Sequence, residues 1–336
     1  MAEHTPIGLG HEASPVRALT HSGNFHADET LGYVILHYAL APQGDLRARI
    51  LGEGPEDRLS FTRSRVPGLI QAADIVFDVG GVYDPAAGRY DHHMKNKPLR
   101  EDGTPYSAAG LLWKDYGLAA IRNMLAEPVD DAMAGAIWQA VDKALILPVD
   151  QDDNGVAKMG RLSLAEIVST CGAAWDTAEL YGAEEAGQRE MAGFADAAGI
   201  VARYLAGVVD RARASLKAVE RVLRAYEQAE DKRILVLETG MPAEKVIFER
   251  DLPVVYVVSP AGGGQWNVKA VPPARGEFGQ RVSLPEAWGG LEGQALADVS
   301  GIGDAAFAHP ARFICGARSR AGAVAMARRA LEIGAP

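Results

Sequence analysis

A strand followed by a helix is encoded in VRALTHSGNFHADETLGYVILHYAL, residues 16–40. The short run from Val16 to Thr20 is typical of a strand, and the run from Asp28 to Leu40 is typical of an amphipathic helix. Polar side chains crowd the turn between them. Because short strands and helices continue to alternate along the first half of the chain, the sequence predicts an α/β domain with a largely parallel sheet.

The later elements of the first half follow the same alternation. A buried strand is predicted over Ile75 to Val79, with helices over Ser107 to Tyr116 and over Asp130 to Leu147. Ser163 stands three residues before Glu166, which is the spacing of a capping box and predicts another helix start. These segments account for most of one hydrophobic core before residue 180.

A long amphipathic helix, or two in series, is predicted between residues 186 and 229, where apolar residues recur at three- and four-residue steps. We interpret it as a connection that also packs on the core. The segments predicted beyond it are the strands Ile234 to Leu237, Val254 to Val258 and Trp266 to Val271, and a helix from Arg320 to Ile333. They indicate a second, smaller α/β domain.

The length of 336 residues is also typical of two domains rather than one. We divide the chain into a flexible leader (1–15), a first domain (16–185), a helical linker (186–230) and a second domain (231–336). His4 and His11 lie in the leader, where we expect no ligand role.

Composition excludes several classes of protein. The net charge of −10, with 34 basic residues, argues against a broad cationic face that coats nucleic acid, although a local groove stays open. Cys171 and Cys315 lie far apart, so we expect reduced thiols and neither a disulfide framework nor a zinc knuckle. No uninterrupted apolar run spans a bilayer, and residues 1–15 lack the order of a signal peptide. We expect a cytoplasmic protein without membrane contact, and we leave a homo-oligomer open.

Metal-binding side chains follow the predicted strands, where function in open α/β sheets concentrates. The clusters are His21, His26, Asp28 and Glu29 after the first strand, Asp78 in the second, then Asp91, His92 and His93, and finally Asp150, Asp152 and Asp153 after the Asp130 helix. The side chains in these clusters are the candidate metal ligands.

Each cluster also has a simpler explanation when taken singly. Asp28 has the place of an acid that favours a helix N-terminus, Asp153 begins a turn-like Asp-Asn-Gly, and His26 fits an ordinary loop. The sequence Asp91-His92-His93 has no such explanation in a chain with eight histidines. The clusters together therefore favour a metal site.

The chemistry expected of such a site is hydrolysis of a phosphoester. Imidazole and carboxylate ligands together suit manganese, zinc or iron, whereas an all-oxygen set suits calcium or magnesium. Two divalent ions that share a carboxylate activate water and stabilise the charge of a phosphoryl displacement.

These motifs resemble the Myg family, the melanocyte-proliferating-gene relatives of the DHH phosphoesterases. The strings that carry the resemblance run from Thr20 to Glu29, Phe77 to Pro85, Tyr90 to His93 and Asp153 to Gly155, and in the second half from Trp266 to Val268, Leu284 to Trp288, Val299 to Ile302 and Phe307 to His309, as far as Arg318. Several motifs in one order cover nearly the whole chain, so the resemblance is specific.

The resemblance implies a DHH-type fold with its active site in a cleft between two domains, and a hydrolase that shortens RNA or short oligonucleotides from 3' to 5'. It implies two divalent ions, manganese first, with zinc, magnesium or iron as alternatives. Asp78 resembles the bridging ligand, with His26 and also His21 on one ion. Many DHH enzymes have an aspartate where His26 stands, which leaves the role of His21 open.

The remaining roles implied by the resemblance concern the second ion and the reaction. Asp28, His92 and Asp153 resemble the ligands of the second ion. His93 would act near the leaving group, and Asp91 would orient an imidazole.

The second domain supplies cations that the resemblance turns into substrate-binding candidates. They are Lys269, Arg281, His309 and Arg318, in segments that also hold several glycines. Trp266 and Trp288 are open to base stacking or to core packing. Two other functions stay open: a phosphoesterase for dinucleotides or pyrophosphate-like molecules, and a metal-bearing binding protein without turnover.

Overall fold

The computed structural model describes residues 6–8, 15–53, 58–157, 160 and 162–334. His4 and His11 lie outside the described residues, as does most of the predicted leader. The chain divides into two compact units, residues 1–213 and residues 214–336. We describe each unit by itself.

The first unit begins with the predicted strand and helix and alternates between the two types of element. Its strands are β1 (Val16–Thr20), β2 (Leu59–Arg63), β3 (Ile75–Phe77), β4 (Tyr83–Asp84) and β5 (Arg89–Tyr90). Its helices are α1 (Ala27–Leu40), α2 (Leu46–Leu51), α3 (Pro67–Ala72), α4 (Ala108–Met124), α5 (Asp131–Val141), α6 (Leu147–Asp153), α7 (Leu164–Ser169), α8 (Thr177–Tyr181) and the start of α9 (Ala183–Gln228).

The sheet of the first unit has the strand order β2-β1-β3-β5-β4. Strand β1 pairs in parallel with β2 and β3, β3 pairs in parallel with β5, and β4 is the one antiparallel strand described in this sheet. The prediction of an α/β fold with a largely parallel sheet is confirmed. Because β1, β3 and β5 run in the same direction, the residues that follow them come to the same edge.

Helix α1 forms the centre of the first core. It is buried on nearly all sides and packs on α4. A Cβ atom on Gly32 would lie 3.0 Å from Leu112 Cδ1, so a glycine permits the close approach of the two helices. The first turn of α1 lies beside the carboxyl edge of the sheet, where Glu29 contacts His21.

Two helices are longer than the sequence predicted. Helix α4 continues past Gly117 to Met124, and the helix predicted to end at Leu147 continues through a π-helical turn, Asp142–Ile146, into α6. Pro148 lies just after the π-helical turn, and the wider spacing of that turn accommodates the proline ring within the continuing helix. The continuation carries Asp153 to the last turn of a helix rather than into a loop. Ser163 caps α7 as predicted, accepting a hydrogen bond from Glu166 N.

The long amphipathic segment is one helix, α9, and the division between the units falls within it. The strands of the second unit are β6 (Ile234–Val236), β7 (Tyr256–Pro260), β8 (Trp266–Ala270), β9 (Ala305–Ala308) and β10 (Ile314–Ala317). Its further helices are α10 (Glu244–Glu249), α11 (Gly293–Ser300) and α12 (Arg320–Gly334). The strand order is β6-β7-β8-β10-β9, parallel at β6 and β7 and antiparallel elsewhere.

The second unit has its own core between this sheet and α12. Trp288 is buried within that core, together with Tyr256 and Met326. Core packing is therefore the role of Trp288. Trp266 is half-buried, and the Arg320 guanidinium carbon lies 5.9 Å from the centre of its ring.

Two helical stretches in the described part of the chain have the length and composition of membrane spans, Asp131–Asp153 and Ala183–Gln228. In the most hydrophobic 18-residue segment of the first stretch, 33% is buried inside the fold, and in that of the second stretch 44% is buried. Core helices of soluble proteins have the same length and composition, so this is weak evidence. The absence of membrane contact stays a prediction.

Candidate metal centre

The carboxyl edge of the first sheet brings the predicted ligands together. His21 follows β1, Asp78 follows β3, and Asp91 to His93 follow β5. The first turn of α1 adds Asp28 and Glu29, and the last residue of α6 adds Asp153. Asp153 is the one predicted ligand that arrives from the end of a helix well separated from any strand.

Asp78 lies at the centre of the cluster. Its Oδ2 lies 3.1 Å from His21 Nε2, and its Oδ1 lies 3.2 Å from His92 Nε2 and 3.4 Å from His93 Nδ1. The backbone of Asp78 has a φ of 56°, a left-handed conformation that aspartate tolerates better than most residues. Such strain is common where a side chain must be aimed at a functional site.

The other ligands lie on two sides of Asp78. On one side, Glu29 Oε1 is 3.1 Å from His21 Nε2, and His26 joins these two in a group whose ligand atoms lie within 4.8 Å of one another. On the other side, His92 Nε2 is 3.4 Å from Asp153 Oδ2 and 3.8 Å from Asp28 Oδ2. Asp28, His92 and Asp153 form a second group with the same spacing.

The donor set fits divalent cations because part of it has no other partner. Neither carboxylate oxygen of buried Asp28 accepts a hydrogen bond from a described residue, and Nδ1 of His92 also lacks a partner there. A buried, unpaired carboxylate is costly, and a bound ion is one of the ordinary reasons for it. Histidine nitrogens with carboxylate oxygens suit manganese, iron or zinc.

The crowding of acids shifts the proton affinities of the cluster. Burial, followed by the charges of Asp78 and Asp153, raises the pKa of Asp28 well above its usual value. Burial alone would lower the pKa of His21, but hydrogen bonds to Asp78 and Glu29 outweigh it and raise the pKa to about 10. Positive charge therefore stabilises this cluster, whether it comes from protons or from metal ions.

The two adjacent histidines have different surroundings. The His92 side chain is 3% exposed and faces three carboxylates, whereas the His93 side chain is 60% exposed. Asp91 Oδ1 lies 2.8 Å from His93 Nδ1 and also accepts hydrogen bonds from the backbone N–H groups of His92 and His93. Asp91 thus contacts an imidazole as predicted, while the roles of Asp91 and His93 in a reaction stay predictions.

A buried arginine holds the loop between β1 and α1. The Arg63 side chain is 1% exposed, and its Nη1 donates to Glu190 Oε1 on α9 at 2.9 Å. Its Nη2 donates to Gly23 O, and its guanidinium lies over the rings of Phe25 and Phe194. The backbone N–H of Gly23 donates to the same Glu190 oxygen. The loop that carries His21 and His26 is therefore held by hydrogen bonds to the backbone of Gly23 and by the contact of Arg63 with the ring of Phe25.

A second ionic cluster holds the helix that carries Asp153. Asp150 accepts hydrogen bonds from Ser107 N, from Ser107 Oγ and from Arg100 Nε, at 2.9, 2.6 and 2.6 Å. Arg100 in turn donates to both oxygens of Asp142. A Cβ atom on Gly110 would lie 2.4 Å from Asp150 Oδ1, so α4 approaches α6 closely at this point.

The site residues predicted in the first unit meet at one place. They are His21, His26, Asp28, Asp78, Asp91, His92, His93 and Asp153, and all of them line one cavity of about 1540 Å³. Glu29 belongs to the cluster but was not among the predicted ligands, although it directly follows Asp28. Its Oε2 accepts from His26 N at 2.8 Å, so the capping role that a sequence pattern suggests for such a glutamate is also present.

The substrate-binding candidates of the second unit have different surroundings from one another. Arg281 Nη1 donates to Leu252 O and Val254 O, and its guanidinium lies over the ring of Phe248. His309 Nδ1 accepts from Ala311 N. Lys269 and Arg318 are exposed. Substrate binding by these four residues stays a prediction.

Comparisons with known proteins agree with the motifs. The family model MYG1_exonuc, described as an uncharacterised protein family (UPF0160), matches residues 17–331. The MYG1 exonuclease of Bos taurus is 29% identical over 349 residues, which cover 96% of this chain and 86% of that protein. A MYG1 protein of Caenorhabditis elegans is 30% identical over 340 residues, which cover 94% of this chain and 95% of that protein.

One solved structure, RecJ of Thermus thermophilus in complex with Mn²⁺, is 19% identical with a TM-score of 0.26. The match covers 95% of this chain and 52% of the RecJ chain, so this chain spans about half the length of RecJ. The family model, by contrast, matches nearly all of this chain. The chain belongs to the MYG1_exonuc family.

Proposed function

We propose that this protein is a metal-dependent phosphodiester hydrolase that removes nucleotides from RNA or short oligonucleotides in the 3'-to-5' direction. The observation that carries the proposal is the convergence of buried carboxylates and histidines around Asp78, including one carboxylate, Asp28, with no hydrogen-bond partner among the described residues. The relatives from Bos taurus and Homo sapiens are named MYG1 exonucleases, which supports the nuclease part.

We assign the residues to two sets, with Asp78 as a ligand that both would use. His21, His26 and Glu29 would hold one divalent cation, and Asp28, His92 and Asp153 would hold the other. Bound divalent cations make water a better nucleophile and stabilise negative charge on a phosphoryl group. Manganese is our first choice because nitrogen and oxygen ligands are mixed, and zinc, iron and magnesium are the alternatives.

His93 is the residue that we assign to proton transfer. Its Nδ1 is engaged by Asp91, which orients the ring and leaves Nε2 as the nitrogen for a substrate. A histidine held in this way is placed to transfer a proton to the leaving oxygen. Its exposure to the cavity distinguishes it from His92, which is enclosed by carboxylates.

The size of the cavity favours an oligonucleotide end over a compact substrate. A volume of about 1540 Å³ exceeds the roughly 300–1,000 Å³ of ordinary small-ligand pockets. A phosphoesterase for dinucleotides or pyrophosphate-like molecules is the second candidate, because the same side chains serve that reaction. RNA as the substrate and the cytoplasm as the compartment belong to the same proposal.

The test is cleavage of RNA, DNA and a dinucleotide, each labelled at the 5' end, with manganese or with EDTA. A 3'-to-5' exonuclease gives a ladder of shortening labelled RNA, whereas the opposite polarity releases a labelled mononucleotide at once. Cleavage of the dinucleotide alone would favour the second candidate. Binding of manganese without cleavage of any substrate would contradict the proposal and favour a binding protein.

The variant Asp78→Asn provides the site-specific arm of this test. We expect a loss of at least about 10³-fold, because the metals contribute several kcal/mol and each 1.4 kcal/mol is tenfold in rate. Asp84→Asn is the matched control, since Asp84 is exposed and only caps a short turn through Ala86 N and Ala87 N. Equal activity of the two variants would remove Asp78 from the centre.

A further inference from the structure

The cavity of the metal centre has acidic walls, although its proposed substrate is an anion. Its carboxylates are Asp28, Asp78, Asp91, Asp152 and Asp153. Among the described residues, the arginine and lysine that line this cavity are Arg65 and Lys97. Divalent ions offset part of the negative charge, and a phosphate group that enters the cavity still needs hydrogen-bond donors.

Lys97 is held beside the end of helix α6 by a neutral partner. Its Nζ donates to Asn154 Oδ1 at 2.7 Å. Asn154 Nδ2 donates to Asp150 O at 3.0 Å and to Pro105 O and Tyr106 O at 3.3 Å. These three carbonyl groups determine which way the amide points, so its oxygen must face the lysine.

The hydrogen bond to Asn154 occupies only part of the donor capacity of the Lys97 ammonium group. A lysine carries three N–H donors, and Asn154 takes one. Among the described residues, no carboxylate lies within ion-pair distance of Lys97, although it lines a cavity with five of them. Arg100, three residues along, pairs instead with Asp142 and Asp150. A cation whose function was to neutralise the cluster would be paired in the same way.

Asn154 directly follows Asp153, the ligand that lies 3.4 Å from His92. The hydrogen bond to Asn154 therefore places the charge of Lys97 next to the metal-binding side chains. From this geometry we propose that Lys97 binds a phosphate oxygen of the substrate and of the nucleoside monophosphate product, as a residue that selects phosphate-bearing ligands. The proposal rests on the proposed function and identifies the anion subsite of the same cavity.

The experiment measures binding, without turnover, on the full chain loaded with manganese. Inorganic phosphate and adenosine monophosphate are titrated into wild type, Lys97→Met, Lys97→Arg and Lys95→Met by calorimetry at fixed ionic strength. Lys97→Met preserves length and removes charge, and Lys95 is an exposed lysine of the same loop outside the cavity lining. Manganese alone is titrated into each variant as well.

We expect Lys97→Met to weaken adenosine monophosphate binding about tenfold or more while manganese binding stays within about twofold of wild type, because a charge-assisted hydrogen bond is lost. Lys97→Arg should restore most of the affinity, and Lys95→Met should match wild type. Unchanged affinity in Lys97→Met, equal weakening in Lys95→Met, or failure of wild type to bind either probe would overturn the subsite. A parallel loss of manganese binding or of thermal stability in Lys97→Met would assign Lys97 to the fold instead.

The test of the phosphate subsite and the test of the proposed hydrolase can fail independently of each other. If wild type cleaves RNA and Lys97→Met cleaves it with an unchanged KM, the subsite is wrong and the hydrolase stands. If adenosine monophosphate binds through Lys97 and no substrate is cleaved, the hydrolase is wrong and the subsite stands.

Discussion

Asp28 and Asp150 are two buried aspartates of the same unit with opposite surroundings. Asp150 accepts three hydrogen bonds, from both donors of Ser107 and from Arg100. Asp28 accepts none from a described residue and faces Asp78 and Asp153 across His92. Removing a buried carboxylate from its donors leaves them unpaired and destabilises the fold, whereas a buried carboxylate without donors is itself costly unless a ligand arrives. This difference distinguishes Asp28, which we propose as a metal ligand, from Asp150, which the fold itself satisfies.

The largest expected effect divides His92 from His93. His92→Ala should lose a metal ion, because its ring is enclosed by the carboxylates of the cluster. His93→Ala should keep its metal and lose about 10²–10⁴-fold in turnover, the usual contribution of a positioned acid or base. Metal content by mass spectrometry and kcat on RNA are the measurements. Equal metal loss in both variants would show that the two rings share one role.

A smaller effect, in stability, tests the comparison of the two aspartates directly. In EDTA at neutral pH, Asp28→Asn should raise the free energy of unfolding by about 1–3 kcal/mol, because the neutral amide requires neither a buried charge nor the uptake of a proton among the other carboxylates. Asp150→Asn should lower it by about 1–3 kcal/mol, because an amide N–H would face the donors of Arg100 and Ser107. Urea unfolding of both variants measures these changes.

Manganese supplies the control for the same pair. Since a ligand that binds the folded state raises its stability, added manganese should stabilise wild type and Asp150→Asn equally, and Asp28→Asn less, because that variant keeps only the cation site of His21, His26 and Glu29. If Asp28→Asn were less stable than wild type in EDTA, or gained as much from manganese, Asp28 would be a structural acid like Asp150.

Local signals predicted the start of the elements better than their ends. The helix predicted to start at Ser107 begins there, but it continues past its predicted end at Tyr116 to Met124. A Cβ atom at Gly117 would lie 2.7–2.9 Å from atoms of Trp113 and Trp138, so the glycine permits tight packing within a continuing helix. Tertiary contacts therefore override the weak helix propensity of this residue. The helix predicted to end at Leu147 likewise continues through Pro148 to Asp153, because the π-helical turn before the proline accommodates its ring.

The site was predictable as a list of residues rather than as an arrangement. The order of motifs predicted His26, Asp28, Asp78, His92 and Asp153 as ligands, and the structure brings these five residues together around one cavity. Contacts between residues 57 positions apart, such as His21 with Asp78, leave no periodicity in the sequence. The roles of Glu29 and Lys97 were missed for a related reason. A helix cap explains Glu29 locally, and only the fold places Lys97 beside Asn154.

The smallest expected effect extends the comparison to two arginines of the second unit. Arg281 is satisfied, with two backbone carbonyls and an aromatic ring as partners, whereas the guanidinium of Arg318 has no hydrogen bond or ion pair with a described residue. Arg281→Ala should therefore lower the melting temperature, because Leu252 O and Val254 O lose their donor.

Arg318→Ala should leave the melting temperature unchanged and raise the KM for an oligonucleotide by about three- to tenfold, since a single exposed cation contributes little more than 1 kcal/mol. The change in KM should be smaller for a minimal chromogenic phosphodiester. Both substrates are assayed at one ionic strength, because salt alone alters phosphate binding. If Arg318→Ala lowered turnover of the minimal ester as much as that of the oligonucleotide, Arg318 would serve the fold or the reaction itself, and an unpaired arginine would no longer identify a contact for a longer substrate.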